Sequence, residues 1–528
     1  MPGAHLRALF RLGRELTLPE LIVPRLDSWN RTLSNREVWW LCLLAVGLHL
    51  LPLILADYAY IDDVWRAQLA GVIQDANDSW TGQGRLLIDW FHAAIGFADA
   101  APNVFPLPLL IAAVLSAWAL ASLVLHYFET PRATSLLVVL PLWYNPFFLQ
   151  NLSYQYDAPL MALALAACVA AICVGSGRWS QFATSSALVA VAVGFYQVSI
   201  NVFAGLCCIE IIRLILAQQA LPEVLRHASL RLGQLFVGCA VYYFTAYQLI
   251  TVPRTALLPI DDQWPGEILR RLGIVAEHVG LLMTPGTTWF FVGLCGLALL
   301  KLLATYAQLL GSQRPAWERV ALGVLLASAV AAGLLLTAGM TLLFKNYNAG
   351  ARLLMGMGPA LVMLALLAQH TLVGWHQRLA WLLAIPLMFM LSFSFAYGRV
   401  LVAQQELQRL VTFSLAQEIA SRPQLYEAKR FYVHGIGSSG RWLPAASGSY
   451  EVMPALRYVL NIDFLLLVEM MPRVGMVNFG ARPPLDRPTV LARSPTPVVD
   501  AKFFSIHRVD DNGYVLMKTP WEAEGFFK

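Results

Sequence analysis

The chain has 528 residues, of which 58% are hydrophobic and only 13% are charged, whereas soluble domains carry about 25% charged residues. The mean hydropathy is +0.60, and long apolar runs recur between residues 38 and 397, which excludes a string of soluble domains. The net charge of +5 does not indicate a nucleic-acid partner, because the arginines cluster at the ends of apolar runs instead of along one face. The composition predicts a polytopic membrane protein.

The apolar runs predict about eleven transmembrane helices. They lie near 38–56, 104–127, 133–150, 157–176, 182–195, 198–217, 233–252, 288–310, 317–343, 353–373 and 379–397. Arginines precede the first run and recur in alternate loops, so the positive-inside rule predicts a cytoplasmic N-terminus and an exterior segment after residue 397. The seven cysteines lie inside apolar runs without metal-ligand spacing, which predicts small buried side chains.

Three regions follow from this topology. Residues 1–37 form a basic cytoplasmic N-terminus, in which 5–16 has the pattern of an amphipathic helix on the inner leaflet or serves only as an orientation signal. Residues 38–397 form the transmembrane domain, with a large exterior loop at 57–103. Residues 398–528 form an exterior α+β domain, with helical spacing at 400–420 and strand-like runs at 430–434, 464–468, 503–508 and 514–518. Asn512-Gly513 between the last two strands is typical of a hairpin.

The first exterior loop opens with three carboxylates within seven residues of a predicted membrane exit, namely Asp57, Asp62 and Asp63. A carboxylate near a low-dielectric interface has a raised proton affinity, which suits a general base. The plainer alternative is that these acids only mark an exterior boundary. We predict Asp62 or Asp63 as the base and favour Asp63 slightly, because Arg66 lies three residues further along one helical face.

Several cations lie near the same loops and suit the binding of a phosphate. Arg85 begins an amphipathic stretch that we expect on the membrane surface, where an arginine otherwise contacts lipid headgroups. Arg66, Lys345 and Arg352 are the other predicted phosphate ligands. His278, within an amphipathic stretch at 267–282, is expected to be an ordinary surface histidine.

The second exterior loop, residues 145–157, is rich in aromatic, amide and hydroxyl side chains. Such groups bind sugar hydroxyls and cover the C–H faces of a sugar, although the same composition also forms an interfacial belt. Asp157 stands at the mouth of a predicted span, where a carboxylate is costly unless it is paired or lines a wet cavity. The predicted sugar-binding or acceptor-binding residues here are Asn151, Tyr154, Tyr156 and Asp157.

Three short patterns in the first half of the chain carry a family resemblance. They are Tyr60-Ile61-Asp62-Asp63 with Arg66, Trp80 and Gly84-Arg85; Asn145-Pro146-Phe147-Phe148 with Asn151-Leu152-Ser153-Tyr154 and Tyr156-Asp157; and Gly194-Phe195-Tyr196-Gln197 with Asn201. Together they resemble the phage-type serotype-converting glucosyl transferases of the Gtr type II family. The likeness covers mainly residues 40–215 and adds Tyr196 and Gln197 to the predicted sugar-binding or acceptor-binding residues.

The resemblance implies a GT-C membrane glycosyltransferase of the bacterial inner membrane, an all-α polytopic fold with a periplasmic active site. In such a family the donor is undecaprenyl-phosphate glucose, the acceptor is an O-antigen sugar of lipopolysaccharide, and the catalytic aspartate corresponds to Asp62 or Asp63. A single base with direct displacement predicts inversion at the anomeric carbon. A retaining route would need a second apposed carboxylate, such as Asp157. No metal ligands are predicted, and a divalent cation remains open.

Other functions fit the same composition. A transporter or flippase of a lipid-linked sugar would favour ionisable residues in mid-span and related halves, whereas the charges here cluster at membrane exits apart from Lys301. The same fold could instead transfer mannose or aminoarabinose, or act as a ligase or polymerase of whole polysaccharides.

Overall fold

The computed structural model describes residues 31–518 except 72–78, 176, 252–255, 436–442, 463–464, 466–467 and 481. The predicted amphipathic helix at 5–16 lies outside the described residues. Within them the chain is mostly helical and carries one small sheet near its C-terminus. The helical membrane-protein class with a C-terminal α+β region is therefore confirmed.

The helices begin and end as follows in chain order. They are α1 (Asn35–Ala56), α2 (Asp63–Gln68), α3 (Leu86–Gly96), α4 (Leu107–Tyr127), α5 (Ala133–Val139), α6 (Pro141–Tyr144), α7 (Phe148–Ser153), α8 (Ala158–Val174), α9 (Trp179–Phe195), α10 (Ile200–Leu216), α11 (Leu221–Phe244), α12 (Trp264–Gly280), α13 (Thr288–Leu310), α14 (Ala316–Leu335), α15 (Met357–Trp375), α16 (Ala384–Ala420), α17 (Pro423–Tyr426), α18 (Ser447–Val452), α19 (Ala455–Leu460) and α20 (Arg487–Arg493). Short 3-10 turns include Thr81–Gln83, Gln197–Ser199, Gly339–Leu343, Ala351–Leu353, Gln377–Leu383 and Val468–Val474.

Seven of the described helices are long and apolar enough to cross a membrane, namely α1, α4, α10, α13, α14, α15 and α16. Helices α3, α8 and α9 and the α5–α6 pair are shorter and apolar. The predicted spans at 133–150, 157–176 and 182–195 coincide with three of these shorter elements. The span at 233–252 falls on α11, whose first half carries Glu223, Arg226 and Arg231. The total of eleven spans stays a prediction.

Helix breaks divide one predicted span. The run at 133–150 folds as α5, α6 and the start of α7. Pro141 begins α6, where its missing N–H and fixed ring interrupt the backbone hydrogen bonds of a continuous helix. The break turns the chain near the loop that carries Asn151 and Tyr154.

Helix α16 is 37 residues long and passes without interruption through the predicted boundary at residue 398. Its second half supplies Val411, Leu415 and Ile419 to a separate apolar core that also contains Phe431 and Phe504 of the sheet. The C-terminal α+β region thus continues the last long apolar helix, and this shared helix links the two cores.

The sheet has the strand order β2-β1-β5-β4-β3. Its strands are β1 (Arg430–His434), β2 (Phe479–Gly480), β3 (Val499–Asp500), β4 (Phe504–Val509) and β5 (Asn512–Met517). β1 runs parallel to β2 and β5, whereas β4 is antiparallel to β3 and β5. The predicted strand at 430–434 is confirmed, and the predicted strand at 464–468 lies largely outside the described residues.

The predicted hairpin is confirmed, but Asn512-Gly513 is not its turn. Val509 pairs with Asn512, so Asp510 and Asp511 connect the strands and Asp510 takes the positive φ of 53°. Gly513 lies in the strand, where an added Cβ would stand 2.3 Å from the Phe431 ring. Close packing against a neighbouring strand explains this glycine.

Candidate active site

The segment between α1 and α2 is bent sharply by two residues in the left-handed region. Asp57 ends α1 at φ 43°, and Ile61 has φ 46°. A positive φ is unfavourable for a β-branched side chain. Such strain persists where surrounding contacts impose it, and it is common at functional sites. Here the bend places Asp62 and Asp63 at the start of α2.

Asp63 is fully buried and holds the backbone of two loops together. Its Oδ2 accepts the N–H of Tyr60 at 2.9 Å and that of Gln155 at 2.8 Å, while its Oδ1 accepts the N–H of Tyr156 at 3.2 Å. Burial raises the pKa of Asp63 to about 8, and the three N–H donors oppose that rise. Because backbone donors occupy both oxygens, Asp63 suits a structural connection between the first and second loops.

Asp62 is only partly buried and stands directly before α2. Burial raises the pKa of Asp62, and the negative charge of Asp157 raises it further, whereas the charges of Arg66 and Arg352 lower it. The structure therefore brings Asp62, Asp157, Arg66 and Arg352 into one electrostatic environment. A carboxylate with a raised proton affinity can act as a general base, and the two guanidinium groups in its environment can bind an anion.

Trp80 fixes Asp157. Its indole Nε1–H donates to Asp157 Oδ1 at 2.7 Å, and its ring stacks on His92 with the centroids 5.0 Å apart. His92 Nε2 in turn bonds the carbonyl oxygen of Tyr156 at 3.1 Å. Trp80 belongs to one of the sequence patterns described above. Its hydrogen bond to Asp157 joins residues 77 positions apart, so the spacing in the sequence could not predict this contact.

Arg66 is a buried cation with unused donors. Only 3% of the residue is exposed, and its guanidinium lies over the rings of Trp65 at 4.7 Å and Trp80 at 4.3 Å. Its Nε and Nη1 have no hydrogen-bond partner among the described residues. Buried donors are nearly always satisfied in folded proteins, so these two groups point to an anionic ligand.

Arg352 is held by the second loop. Its Nη1 donates to the Tyr154 hydroxyl at 2.5 Å, and its backbone N–H donates to Gln150 Oε1 at 2.7 Å. Its carbonyl oxygen accepts from Asn151 Nδ2 at 3.1 Å and from the Tyr196 hydroxyl at 3.5 Å. The predicted residues Asn151, Tyr154, Tyr196 and Arg352 thus form one group, to which Gln150 is added.

Arg85 belongs to a neighbouring network centred on Gln197. Arg85 Nε donates to Gln197 Oε1 at 3.2 Å, and Gln197 Nε2 donates to the Gln83 carbonyl at 2.9 Å and the Tyr242 hydroxyl at 3.0 Å. Arg85 also lies 4.9 Å from the centroid of the Tyr196 ring. Both ends of the Gln197 amide are hydrogen-bonded within this network. Gln197 therefore holds Arg85 in its orientation.

Two predicted residues are placed differently from the rest. The Tyr156 hydroxyl donates to the Ala101 carbonyl at 3.2 Å, and its ring packs in an apolar cluster with Trp80 and Leu160. Lys345 is exposed, and no contact within the described part of the chain joins its ammonium to Asp62 or Asp157. That same part contains no cluster of three or more His, Cys, Asp or Glu side chains able to hold a metal.

The sequence matches the glucosyl transferase GtrII family over residues 51–414, which is more than half of the chain. The chain belongs to the GtrII family. The match includes every predicted site residue, from Asp62 to Arg352. GtrII membership supports a sugar transferase with membrane-spanning helices.

A relative of the GtrII chain occurs in Salmonella phage P22, where it is named an uncharacterized 55.3 kDa protein in the gtrB 5′ region. The two sequences are 27% identical over 221 residues, which is 41% of this chain and 44% of the relative. The chain thus spans less than half the length of that curated relative. No solved structure matches it.

The C-terminal region, outside the matched segment, contacts residues of the candidate site and of α12. The Tyr60 hydroxyl donates to the Leu460 carbonyl at 2.5 Å and accepts from Gln150 Nε2 at 3.2 Å. His278, predicted as a surface residue, stacks on Tyr458 with 4.0 Å between the ring centroids. The C-terminal region therefore contacts both the first loop and the α12 segment.

Proposed function

We propose that the protein transfers a glucose unit from a polyprenyl-phosphate carrier to a cell-surface saccharide such as an O-antigen sugar. One observation carries the proposal. In a chain of the GtrII family, the partly buried Asp62 shares its environment with two guanidinium groups, and one of these, Arg66, is buried with unused N–H donors. A base beside an unsatisfied cation fits a reaction that removes a proton and releases a phosphate.

Asp62 acts as the general base in this proposal. An acceptor hydroxyl attacks the anomeric carbon of the donor sugar, and Asp62 takes the hydroxyl proton. The bond between that carbon and the phosphate oxygen breaks, and the electron pair leaves with the polyprenyl phosphate, which gains one negative charge. Direct displacement inverts the anomeric carbon.

The arginines stabilise the leaving group. Arg66 offers Nε and Nη1, and Arg352 is oriented by the Tyr154 hydroxyl. Guanidinium groups bind phosphate through directed charge-assisted hydrogen bonds, and such bonds strengthen as the phosphate gains charge. Asp157, fixed by Trp80, raises the proton affinity of Asp62 through its negative charge.

Asn151 offers a further polar group for the sugar. The residue is fully buried, and its Oδ1 has no hydrogen-bond partner in the described residues. Its Nδ2 is bonded to the Arg352 carbonyl, which orients the amide and leaves the oxygen to accept a sugar hydroxyl. This amide would therefore help to position the glucose above the phosphate site.

The proposal includes a location in the bacterial inner membrane. Residues 1–37 would lie in the cytoplasm, 38–397 would form the transmembrane domain, and the active site and residues 398–528 would face the periplasm. A reporter fusion at Lys528 that works only in the periplasm tests this arrangement. Activity of a reporter restricted to the cytoplasm would contradict it.

The deciding experiment measures sugar transfer by the purified full chain in detergent. Polyprenyl-phosphate glucose and an O-antigen oligosaccharide should give a glucosylated product detectable by mass spectrometry, whereas a nucleotide sugar should give none. The product should have the inverted anomeric configuration. Transport of a lipid-linked sugar without any transfer would favour a flippase and contradict the proposal.

The adjacent aspartates provide a matched control. Asp62→Asn should abolish transfer and leave thermal stability unchanged. Asp63→Asn should lower stability, because an amide presents N–H groups where the carboxylate accepted backbone donors. Full transfer by Asp62→Asn would eliminate Asp62 as the base.

A further inference from the structure

An apolar groove with a volume of about 270 Å³ lies against α12. One wall is a single face of that helix, formed by Leu272, Val275, Ala276 and Val279, whose spacing of three and four residues is that of one helical stripe. The remaining walls come from the beginnings of α13 and α15 and from the end of α14. All the lining side chains are uncharged.

The groove lies close in sequence to Arg352 of the proposed phosphate site. Met357, in the first turn of α15, lines it and follows Arg352 by five residues. Arg271, next to Leu272, donates through Nη1 to the carbonyls of Leu342 at 2.7 Å and Phe344 at 2.6 Å. This ties α12 to the segment that leads to Arg352.

The charges around the groove are arranged for an amphiphile. The lining has no ionic group that could bind a polar ligand. The guanidinium group of Arg352, in contrast, belongs to a residue only five positions before the lining residue Met357. A molecule with an anionic head and a long hydrocarbon chain satisfies both features, because the chain leaves water or lipid headgroups for an apolar surface.

We propose that this groove binds the isoprenoid chain of the lipid-phosphate donor. The inference rests on the proposed function and adds a location for the chain, which runs along α12 with its phosphate toward Arg352. Chain length should therefore contribute to donor affinity at this surface.

Cys295 provides a direct probe of occupancy. It lines the groove and is the exposed cysteine among the described residues, the other six being buried or half-buried. Undecaprenyl phosphate should slow its reaction with a bulky maleimide about tenfold, whereas geranyl phosphate and phosphatidic acid at equal concentration should not. Equal protection by phosphatidic acid would indicate a general lipid site and overturn the proposal, as would a lack of protection by undecaprenyl phosphate.

Steady-state kinetics test the same groove. Ala276→Trp and Cys295→Trp should raise the KM for the undecaprenyl donor about tenfold by filling the groove, while leaving the KM for a geranyl donor unchanged. Leu300→Trp, an exposed position on α13 outside the groove, is the control and should change neither value. An unchanged preference for donor chain length in both groove variants would overturn the proposed chain-binding groove. Sugar transfer by these variants would still support the proposed transferase function.

The two proposals can fail separately. If the wild-type chain transfers no sugar from any donor, the proposed function fails. The labelling of Cys295 would still show whether a polyprenyl phosphate occupies the groove, because it requires binding and no reaction.

Discussion

Two clusters of charged side chains in the described residues differ in how far their polar groups are satisfied. The Asp62 cluster lies at the loops and the Glu210 cluster lies between helix ends. The Asp62 cluster consists of Asp62, Arg66, Asp157 and Arg352, and the Glu210 cluster consists of His126, Glu210, Arg213, His227 and Arg231.

The Glu210 cluster is saturated. Glu210 lies 2.8 Å from Arg213 Nη1 and 3.1 Å from His126 Nε2. Arg213 Nη2 donates to the carbonyls of His126 and Tyr127 at the end of α4, and Arg231 Nη1 and Nη2 donate to the carbonyls of Ala171 and Ile172 near the end of α8. Carbonyls in the last turn of a helix lack the regular intrahelical partner, so this cluster stabilises helix ends.

The Asp62 cluster has hydrogen-bond donors that are not used. Two carboxylates stand in one environment, and Arg66 keeps two N–H groups without partners in the described residues. Equally buried arginines thus have different consequences: a guanidinium whose donors are all bonded stabilises the fold, and one with unbonded donors indicates a ligand.

Removing the central carboxylate should affect activity in one cluster and stability in the other. Asp62→Asn should lower kcat about 10²- to 10⁴-fold, the contribution of a general base, with an unchanged melting temperature. Glu210→Gln should lower the free energy of unfolding by about 3–5 kcal/mol, because it leaves buried cations uncompensated. Transfer assays and thermal unfolding in detergent measure both, and a loss of stability in Asp62→Asn would remove the distinction.

Replacing a buried arginine should lower activity in the Asp62 cluster and stability in the Glu210 cluster. Arg66→Met should reduce kcat/KM for the lipid donor roughly 10- to 100-fold, the equivalent of one or two charge-assisted hydrogen bonds, without lowering stability. Arg231→Met should destabilise the protein, because the carbonyls of Ala171 and Ile172 each lose a charged donor and the buried Glu210 loses a nearby cation. Donor kinetics and unfolding of both variants provide the comparison. Equal destabilisation by the two substitutions would assign Arg66 a structural role.

Asp157 should set the acid limb of the pH profile. Asp62 must be ionised to accept a proton, so transfer falls as the pH drops through its pKa. Burial and the charge of Asp157 raise that pKa, and Asp157→Asn should therefore move the acid limb to lower pH. The amide oxygen can still accept from Trp80. Asp261→Asn, an exposed change, is the control, and a limb that moves upward in Asp157→Asn would contradict the assignment.

Gln197 should produce the smallest effect, because it acts on the phosphate through Arg85. Gln197→Ala should raise the donor KM roughly three- to tenfold, the range for one hydrogen bond, and leave the acceptor KM unchanged. Gln197→Glu keeps an acceptor for Arg85 and should restore part of the donor affinity. Gln248→Ala, at an exposed position, is the matched control. A change confined to the acceptor KM would instead make Gln197 an acceptor-binding residue, as its sequence pattern first indicated.

The two adjacent aspartates show which part of the candidate site can be predicted from the sequence. The pair at a membrane exit was visible as a candidate base, and Arg66 three residues later favoured Asp63. That spacing did not show that Tyr60, Gln155 and Tyr156 donate to Asp63. Because two of these donors lie more than 90 residues away in sequence, only folding assigns Asp63 to the backbone and leaves Asp62 partly exposed.

The helical membrane class, the amphipathic α12 and the β4–β5 hairpin are predictable from the sequence alone, and short motifs carry the resemblance to the GtrII family. These features follow from local periodicity and composition, which act over a few residues. Which polar side chains are satisfied depends on tertiary contacts: Trp80 donates to Asp157, Gln150 and Tyr154 bond Arg352, and two donors of Arg66 have no partner among the described residues. Satisfaction depends on which distant backbone and side-chain groups pack within about 3 Å, and this is fixed only when the helices assemble.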